Sequence, residues 1–238
     1  MIIIPARLAS SRFPGKVLAD INGLPMVIAT AKRVENIDQV AIATDSEEVM
    51  ETAKRHGFEA VMTSDSHKSG TDRINEAARR LGVDAEEIIV NVQADEPFIE
   101  PEVVEKVYDR VRRARETEED LMMVSCYKKI PPSFADDPNH VKVVIDHAGY
   151  AIYFSRSKIP YDREEHLDYF GHLGIYGFTK RSLEAFCALG ASPLEDIEKL
   201  EQLRALYYGQ KIAMVEVESQ SFGIDTTEDL EKALNIFT

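Results

Sequence analysis

The chain has 238 residues, 44% of them hydrophobic, which suits one α/β domain with a real core. Asp and Glu number 42 against 28 Lys and Arg, for a formal net charge of -14. A nucleic-acid binder needs a basic face, so that class is set aside, and an acidic protein that handles anions must gather its cations locally. Cys126 and Cys187 stand in no metal-ligand spacing and read as reduced core thiols. The apolar run at residues 1–4 is too short for a signal-peptide core or a membrane span, so the expected location is the cytoplasm.

Residues 1–4 read as a first strand, followed by a polar loop from Ala6 to Gly15. A helix is expected over 25–34, with Pro25 in its first turn. Then come a strand at 40–43, a helix over 46–56 stopped by Gly57, and a strand at 60–62. Ile74, Ala77, Ala78 and Leu81 share one helical face, which predicts a helix over 71–81. The run at 88–92 is continuously apolar, as in a strand buried on both sides, and 101–114 is again helical. Strand–helix alternation of this kind predicts an α/β fold, with a mostly parallel central sheet flanked by helices. The pattern changes near residue 120. Runs at 141–145 and 150–154, separated by Asp146-His147-Ala148-Gly149, predict a hairpin. A strand at 173–178, helical sequence over 193–208, a strand at 212–217 and a closing helix over 227–236 complete the chain. Thr226 or Thr227 suits the cap of that last helix. The charged run 112–120 reads as a solvated helix end and loop.

Ligands of a parallel sheet bind beyond the carboxyl ends of its strands. After the first strand come Arg7, Arg12 and Lys16, in a loop with small residues and Gly15. Such a loop can approach a polyphosphate and stabilise charge on a leaving pyrophosphate. It is not a Walker A loop, and a plain basic surface loop is the competing interpretation. After the fourth strand come Asp95 and Glu96; a carboxylate there suits magnesium, although a turn or helix start explains the string as well. Asp225 could share that metal or simply cap a helix. Ser69, Gly70, Thr71 and Arg73 open a helix whose N-terminus suits a phosphate or a base, with Ser69 or Thr71 as cap. Thr44-Asp45 offers a similar polar edge. His172 and Tyr176 alternate along a strand and face one side.

The strings IPARLASSRFPGK, ATD, SGTDR, NVQADEP, HVKVV, YAIYFSR, IPYDR, HLGIYG, LEDIEKLEQLRAL and GIDTTEDLEKA occur in this order from Ile4 to Ala233. Together they resemble the 3-deoxy-manno-octulosonate (Kdo) cytidylyltransferase family. The resemblance implies a nucleotide-diphospho-sugar transferase fold, one domain over 1–238 with a smaller β-rich lobe at about 121–190. It implies CMP transfer from CTP to a Kdo-type sugar acid with Mg2+, for lipopolysaccharide synthesis, in a homodimer built through that lobe. It assigns Arg7, Arg12 and Lys16 to the triphosphate, and Ser69, Gly70 and Arg73, with Ala6 and Gln93, to the cytidine side. Asp95 and Asp225 become the metal ligands. Gln93, Arg156, Arg163, His172, Tyr176, Glu201 and Gln202 become the sugar pocket. Arg156 or Arg163 suits the sugar carboxylate. The family usually has Gly where this chain has Ala94, and often has Pro where it has Thr227. The same chemistry on 8-amino-Kdo, or on another sugar acid, is an alternative. A glycosyltransferase usually carries Asp-x-Asp, and Asp95-Glu96-Pro97 argues against one. A nucleotide sensor without turnover has no need of Lys16, Asp95 and Asp225 together.

Overall fold

The computed structural model describes residues 1–10, 12–164 and 168–237. In chain order the elements are β1 (Ile2–Ala6), β2 (Asp20–Ile21), β3 (Leu24–Pro25), α1 (Met26–Val34), β4 (Val40–Thr44), α2 (Glu47–Arg55), β5 (Glu59–Met62), α3 (Gly70–Arg80), β6 (Ile88–Asn91) and α4 (Pro101–Glu116). There follow β7 (Met123–Ile130), α5 (Pro132–Ala135), β8 (Lys142–Ile145), β9 (Ala151–Ser155), β10 (Tyr169–Thr179), α6 (Lys180–Ala188), α7 (Pro193–Glu198), α8 (Leu203–Tyr207), β11 (Ile212–Glu216) and α9 (Thr227–Phe237).

The main sheet runs β11-β7-β10-β6-β1-β4-β5. β4, β5 and β6 are parallel with β1, as their continuous apolar runs predict. β10 enters antiparallel between β6 and β7, and β11 lies parallel to β7. The predicted hairpin is β8–β9, joined to β10 by the pairing of Lys142 with Gly171 and to β11 by a bridge from Tyr150 to Ala213. Thus, of the segment 121–190, β7 and β10 belong to the central sheet itself, and the hairpin packs Val143 and Phe154 into the core of one of its faces.

Each sheet face buries one core. Ile2, Ile4, Ile42, Val90 and Val92 pack with Val27, Ile28 and Ala31 of α1 and Val103, Val104 and Val107 of α4. Ile3, Ala43, Ile89 and Phe178 pack with Ile74, Ala77 and Ala78 of α3 and Leu183 and Phe186 of α6. This odd–even split along β1 and β6 follows from the two-residue strand period. Gly177 lets α4 close onto β10, since a Cβ there would lie 2.6 Å from Val111 and 2.8 Å from Val107.

Three local expectations change. Pro25 precedes α1, with its backbone extended at the cap, and is not inside the first turn. The helical stretch 193–208 is two helices, broken where Lys199 turns left-handed at φ 54°. β7 and α6, which the apolar pattern does not announce, complete the sheet and one covering layer. The cysteines are free, Cys126 buried and Cys187 half-buried. No helix among the described residues is long and apolar enough to cross a membrane.

Candidate active site

A cleft of about 310 Å3 opens at the carboxyl ends of β1 and β6. It is lined by Arg7, Arg12 and Lys16 on one side, Ser69, Gly70 and Arg73 at the start of α3, and Gln93, Asp95 and Asp225. Four distant segments meet here: those after β1 and β6, the start of α3, and the stretch that leads into α9.

Lys16 sits in a short 3-10 turn after Gly15, whose left-handed backbone (φ 69°) turns the chain back into the cleft. Its Nζ donates to Asp95 Oδ2 at 2.6 Å and to Asp225 Oδ1 at 3.0 Å. Arg12 Nη2 reaches Asp225 Oδ2 at 2.9 Å. Asp225 is brought to Asp95 by its own neighbour, as Ile224 N–H donates to Asp95 O at 2.9 Å. Ile224 is fully buried, and Phe98 stacks on Phe237 of α9 at 4.6 Å. Thr226 caps α9: its Oγ1 accepts from Asp229 N–H, and Asp229 Oδ2 accepts from the N–H groups of Asp225 and Thr226. Burial opposes the charge on Lys16, but Asp95 and Asp225 overcome it and raise its pKa. Burial likewise opposes ionisation of Asp225, and Lys16 and Arg12 outweigh it, lowering that carboxyl.

Ser69 caps α3, accepting from Asp72 N–H. Gly70 packs closely: a Cβ would lie a tight 3.2 Å from Pro5 and in ordinary contact, 3.5 Å, with Gln93 Oε1. Arg73 lines the cleft, yet its guanidinium is buried and engaged, donating to Asp45 Oδ2 and Thr63 Oγ1 at 2.7 Å each. It braces the polar edge of β4. Ala6 is buried in β1 beside Thr44 and does not line the cleft.

The residues assigned to sugar divide. Gln93 faces the cleft and donates weakly to Asn91 Oδ1 at 3.5 Å. His172, Tyr176, Glu201 and Gln202 form a mostly buried polar cluster behind it. Thr71 Oγ1 donates to Glu201 Oε1 at 2.8 Å, and Tyr176 donates to Gln202 Oε1 at 3.0 Å. Burial raises the pKa of Glu201 and of Tyr176 and pushes His172 down to about 3. Two buried atoms of this region, Glu201 Oε2 and Asn91 Nδ2, have no hydrogen-bond partner among the described residues. Arg156 and Arg163 are not brought to the cleft. Arg156 donates to the carbonyls of Glu198, Pro138 and Lys199, and Arg163 is exposed on the loop before the β10 strand.

His67 and Lys68, unassigned by sequence reasoning, also line the cleft. His67 Nε2 lies 2.5 Å from Glu76 Oε2, which also accepts from Ser64 N–H. Burial opposes ionisation of Glu76, but these bonds and Arg80 hold it down at about 2. His67 and Glu76 stand nine positions apart, a spacing that carries no signal in sequence. Magnesium fits the two aspartates. Both are hard-oxygen donors, both already grip one cation, and no third acid, His or Cys joins them among the described residues, which leaves room for substrate phosphates.

Cations opposite a pair of acids, beyond the carboxyl ends of parallel strands, are what transfer of a nucleotidyl group to an acceptor requires; fold and cleft define a nucleotidyltransferase. The cytidylyltransferase family matches residues 1–212. A 3-deoxy-manno-octulosonate cytidylyltransferase of Nitratiruptor sp. is 62% identical over 98% of this chain and 97% of its own, and that of Wolinella succinogenes is 54% identical over 100% and 99%. The chain belongs to the 3-deoxy-manno-octulosonate cytidylyltransferase family. A solved CMP:2-keto-3-deoxy-manno-octonic acid synthetase complexed with CTP superposes with a TM-score of 0.89 at 38% identity, covering 99% of this chain and 96% of that one. A Bacillus anthracis glucose-1-phosphate thymidylyltransferase shares the fold, with a TM-score of 0.65 at 16% identity over 99% of this chain and 94% of that one.

Proposed function

We propose that the chain transfers CMP from CTP to Kdo, with release of pyrophosphate, using the cleft around Lys16, Asp95 and Asp225. The anomeric hydroxyl of the sugar forms a bond to the α-phosphorus as the bond from that phosphorus to the β-phosphate bridge breaks. The hydroxyl proton passes to solvent, and pyrophosphate carries off the negative charge. Arg7, Arg12 and Lys16 hold the β- and γ-phosphates and stabilise that charge. Asp95 and Asp225 hold magnesium, which supplies charge neutralisation and Lewis acidity at the phosphates. Gly70 lets Gln93 close against the start of α3, where the nucleoside lies. Gln93 also meets the sugar, with Tyr176, Glu201 and Gln202 behind it.

One observation carries this reading: the Lys16 ammonium bridges two aspartates from distant parts of the chain, in a cleft rimmed by arginines, on a protein of net charge -14. A pyrophosphate-release assay with CTP, magnesium and either Kdo or its 8-amino analogue tests it. Turnover with Kdo is expected, and its absence with both sugars overturns the proposal. We further propose a homodimer built through the 121–190 segment. Exposed Phe134, Ile152 and Tyr161 support that surface, and light scattering measures the mass. A cytoplasmic location follows from the CTP the reaction consumes.

A further inference from the structure

β10 carries an irregularity beside the polar cluster. Its pairing with β7 passes from Leu173–Cys126 directly to Tyr176–Ser125, so Gly174 and Ile175 are skipped. Ser125, fully buried on β7, faces this gap. Its Oγ lies 2.8 Å from Ile175 O, 3.3 Å from Leu173 O and 2.8 Å from His172 Nε2. A serine hydroxyl has one proton and two lone pairs, and a carbonyl can only accept. Ser125 therefore spends its proton on the bulge carbonyls, so the His172 bond runs the other way, with Nε2–H donating to Ser125 Oγ. In a neutral imidazole, Nδ1 is then the acceptor. The atom facing Nδ1, at 3.4 Å, is Gln202 Nε2, which must be the amide end of that side chain. Gln202 Oε1 is left for the Tyr176 hydroxyl, which donates to it at 3.0 Å.

We propose that Ser125 is a positioning residue for substrate. It reads the polarity of the bulge carbonyls and transmits it through His172, fixing which atoms of Gln202 and Tyr176 remain uncommitted. Those atoms are the second N–H of the Gln202 amide, a donor for a sugar oxygen, and the lone pairs of the Tyr176 oxygen, acceptors for a sugar hydroxyl. Were Ser125 to donate to His172, every bond in the chain would reverse, and the same side chains would offer the opposite pattern. Both His172 nitrogens are consumed within the protein, so His172 is neither a base nor a ligand. The depressed pKa of His172 agrees, since a doubly protonated ring cannot accept from Gln202.

This inference rests on the reading that the cluster meets the sugar acid, and the test separates the two. The ring-nitrogen NMR signals of His172 are recorded in the whole enzyme, assigned with His172→Gln. Protonated Nε2 and bare Nδ1, unchanged between about pH 5 and 8, are expected. Protonated Nδ1 in the wild type overturns the proposal without any variant. In Ser125→Ala, the tautomer is expected to become mixed. The KM for Kdo should rise about tenfold, the worth of one lost buried hydrogen bond, with the KM for CTP within about twofold. Ser125→Thr, which keeps the hydroxyl, should restore both. Gln202→Leu is the control on the underlying reading. If it raises the Kdo KM while Ser125→Ala does not, Ser125 has no positioning role; if it too leaves the Kdo KM unchanged, the assignment of the cluster to sugar fails.

Discussion

Replacing Lys16 with Met keeps the length of the side chain and removes the one cation shared by Asp95 and Asp225. Two effects of opposite sign should follow. Turnover should fall about 100- to 1000-fold, or about 2.7–4 kcal/mol, the worth of one preorganised donor at developing charge. Magnesium binding in the absence of nucleotide should tighten. An ammonium near 4 Å repels a divalent cation by about 2 kcal/mol in water and about 8 kcal/mol at the effective dielectric of a protein surface, twice the values for two unit charges. Asp95 and Asp225 are 28% and 46% exposed, so the low end of that range applies, a gain of about thirtyfold. The fold should lose roughly 1 kcal/mol, because two carboxylates then face each other with only Arg12 beside them, and added magnesium should restore it. Calorimetric titration with magnesium chloride, melting curves with and without the metal, and pyrophosphate release read the three effects. A variant that binds magnesium no more tightly, yet turns over within twofold of wild type, refutes the assignment of both Lys16 and the aspartates.

Asp225→Asn should lower turnover by orders of magnitude while leaving the melting temperature nearly unchanged, since its carboxylate is half-exposed and the Ile224–Asp95 backbone bond remains; near-normal turnover removes it from the site. Gly70→Ala should separate binding from stability. Its Cβ lies 3.2 Å from Pro5 and touches Gln93, so the KM for CTP rises several-fold, whereas α3, with Ala at its first position, gains a few tenths of the roughly 1 kcal/mol an interior Ala would give. Arg156→Lys should cost about 1–2 kcal/mol, because a lysine cannot replace the guanidinium fan on the three carbonyls, with no change in the KM for CTP; a raised Kdo KM in the same variant checks its sugar assignment. Between pH 3 and 6.5 the unfolded chain takes up a proton that native His172 refuses, so this residue makes stability rise with pH, by about 1.4 kcal/mol per unit. Glu76, held at about 2 against 4.5, adds the same sign below pH 4.5, and Glu96, raised by burial to about 7, has the opposite sign from 4.5 to 7. His172→Gln should therefore leave stability that increases as pH falls from 7 to 4.5, as denaturation midpoints across that range will show; a slope matching wild type contradicts a buried neutral imidazole.

The parallel half of the sheet was legible because β1, β4, β5 and β6 are short apolar runs closed by turn residues. β7 was not, because its sequence, MVSCYKKI, spends its polar residues inside the protein. Ser125 serves the His172 chain, and Lys128 donates to the carbonyls of Ser219 and Ser221. A period-two pattern is lost when inward positions are polar for a local reason. The break at Lys199 was hidden for a related cause: nothing in Glu-Lys-Leu-Glu-Gln disfavours a helix, and packing alone sets Glu201 and Gln202 at the start of a new one. Lys16, Asp95 and Asp225 were recognisable singly as residues after strands, but their meeting depends on the Ile224–Asp95 bond, which no local spacing encodes. Arg73 illustrates the converse. A cation at a helix start looks free for the nucleotide, and its ion pair with Asp45, nearly thirty residues earlier, is not visible in the sequence.

The same contest for cations bears on how substrates enter. Much of the basic side-chain complement is committed within the protein: Arg73 to Asp45, Arg204 to Glu195, and Lys142 and Arg156 to backbone carbonyls. Around the cleft, Arg7 and Lys68 are exposed with no ion-pair partner among the described residues, and Arg12 and Lys16 hold only the two aspartates. Without ligand Arg12 and Lys16 are balanced by the two aspartates, and Arg7 and Lys68 leave the rim basic. A triphosphate arriving alone meets two carboxylates, and a divalent cation arriving alone meets an ammonium. Arriving together, each removes the other's obstacle, because the aspartates can turn to the metal as Lys16 turns to the phosphates. Nucleotide and metal should thus bind with positive coupling, each tightening the other by the same factor. Lys16 is the element through which that coupling acts, so its replacement by Met should shrink the coupling even where it strengthens binding of the metal by itself.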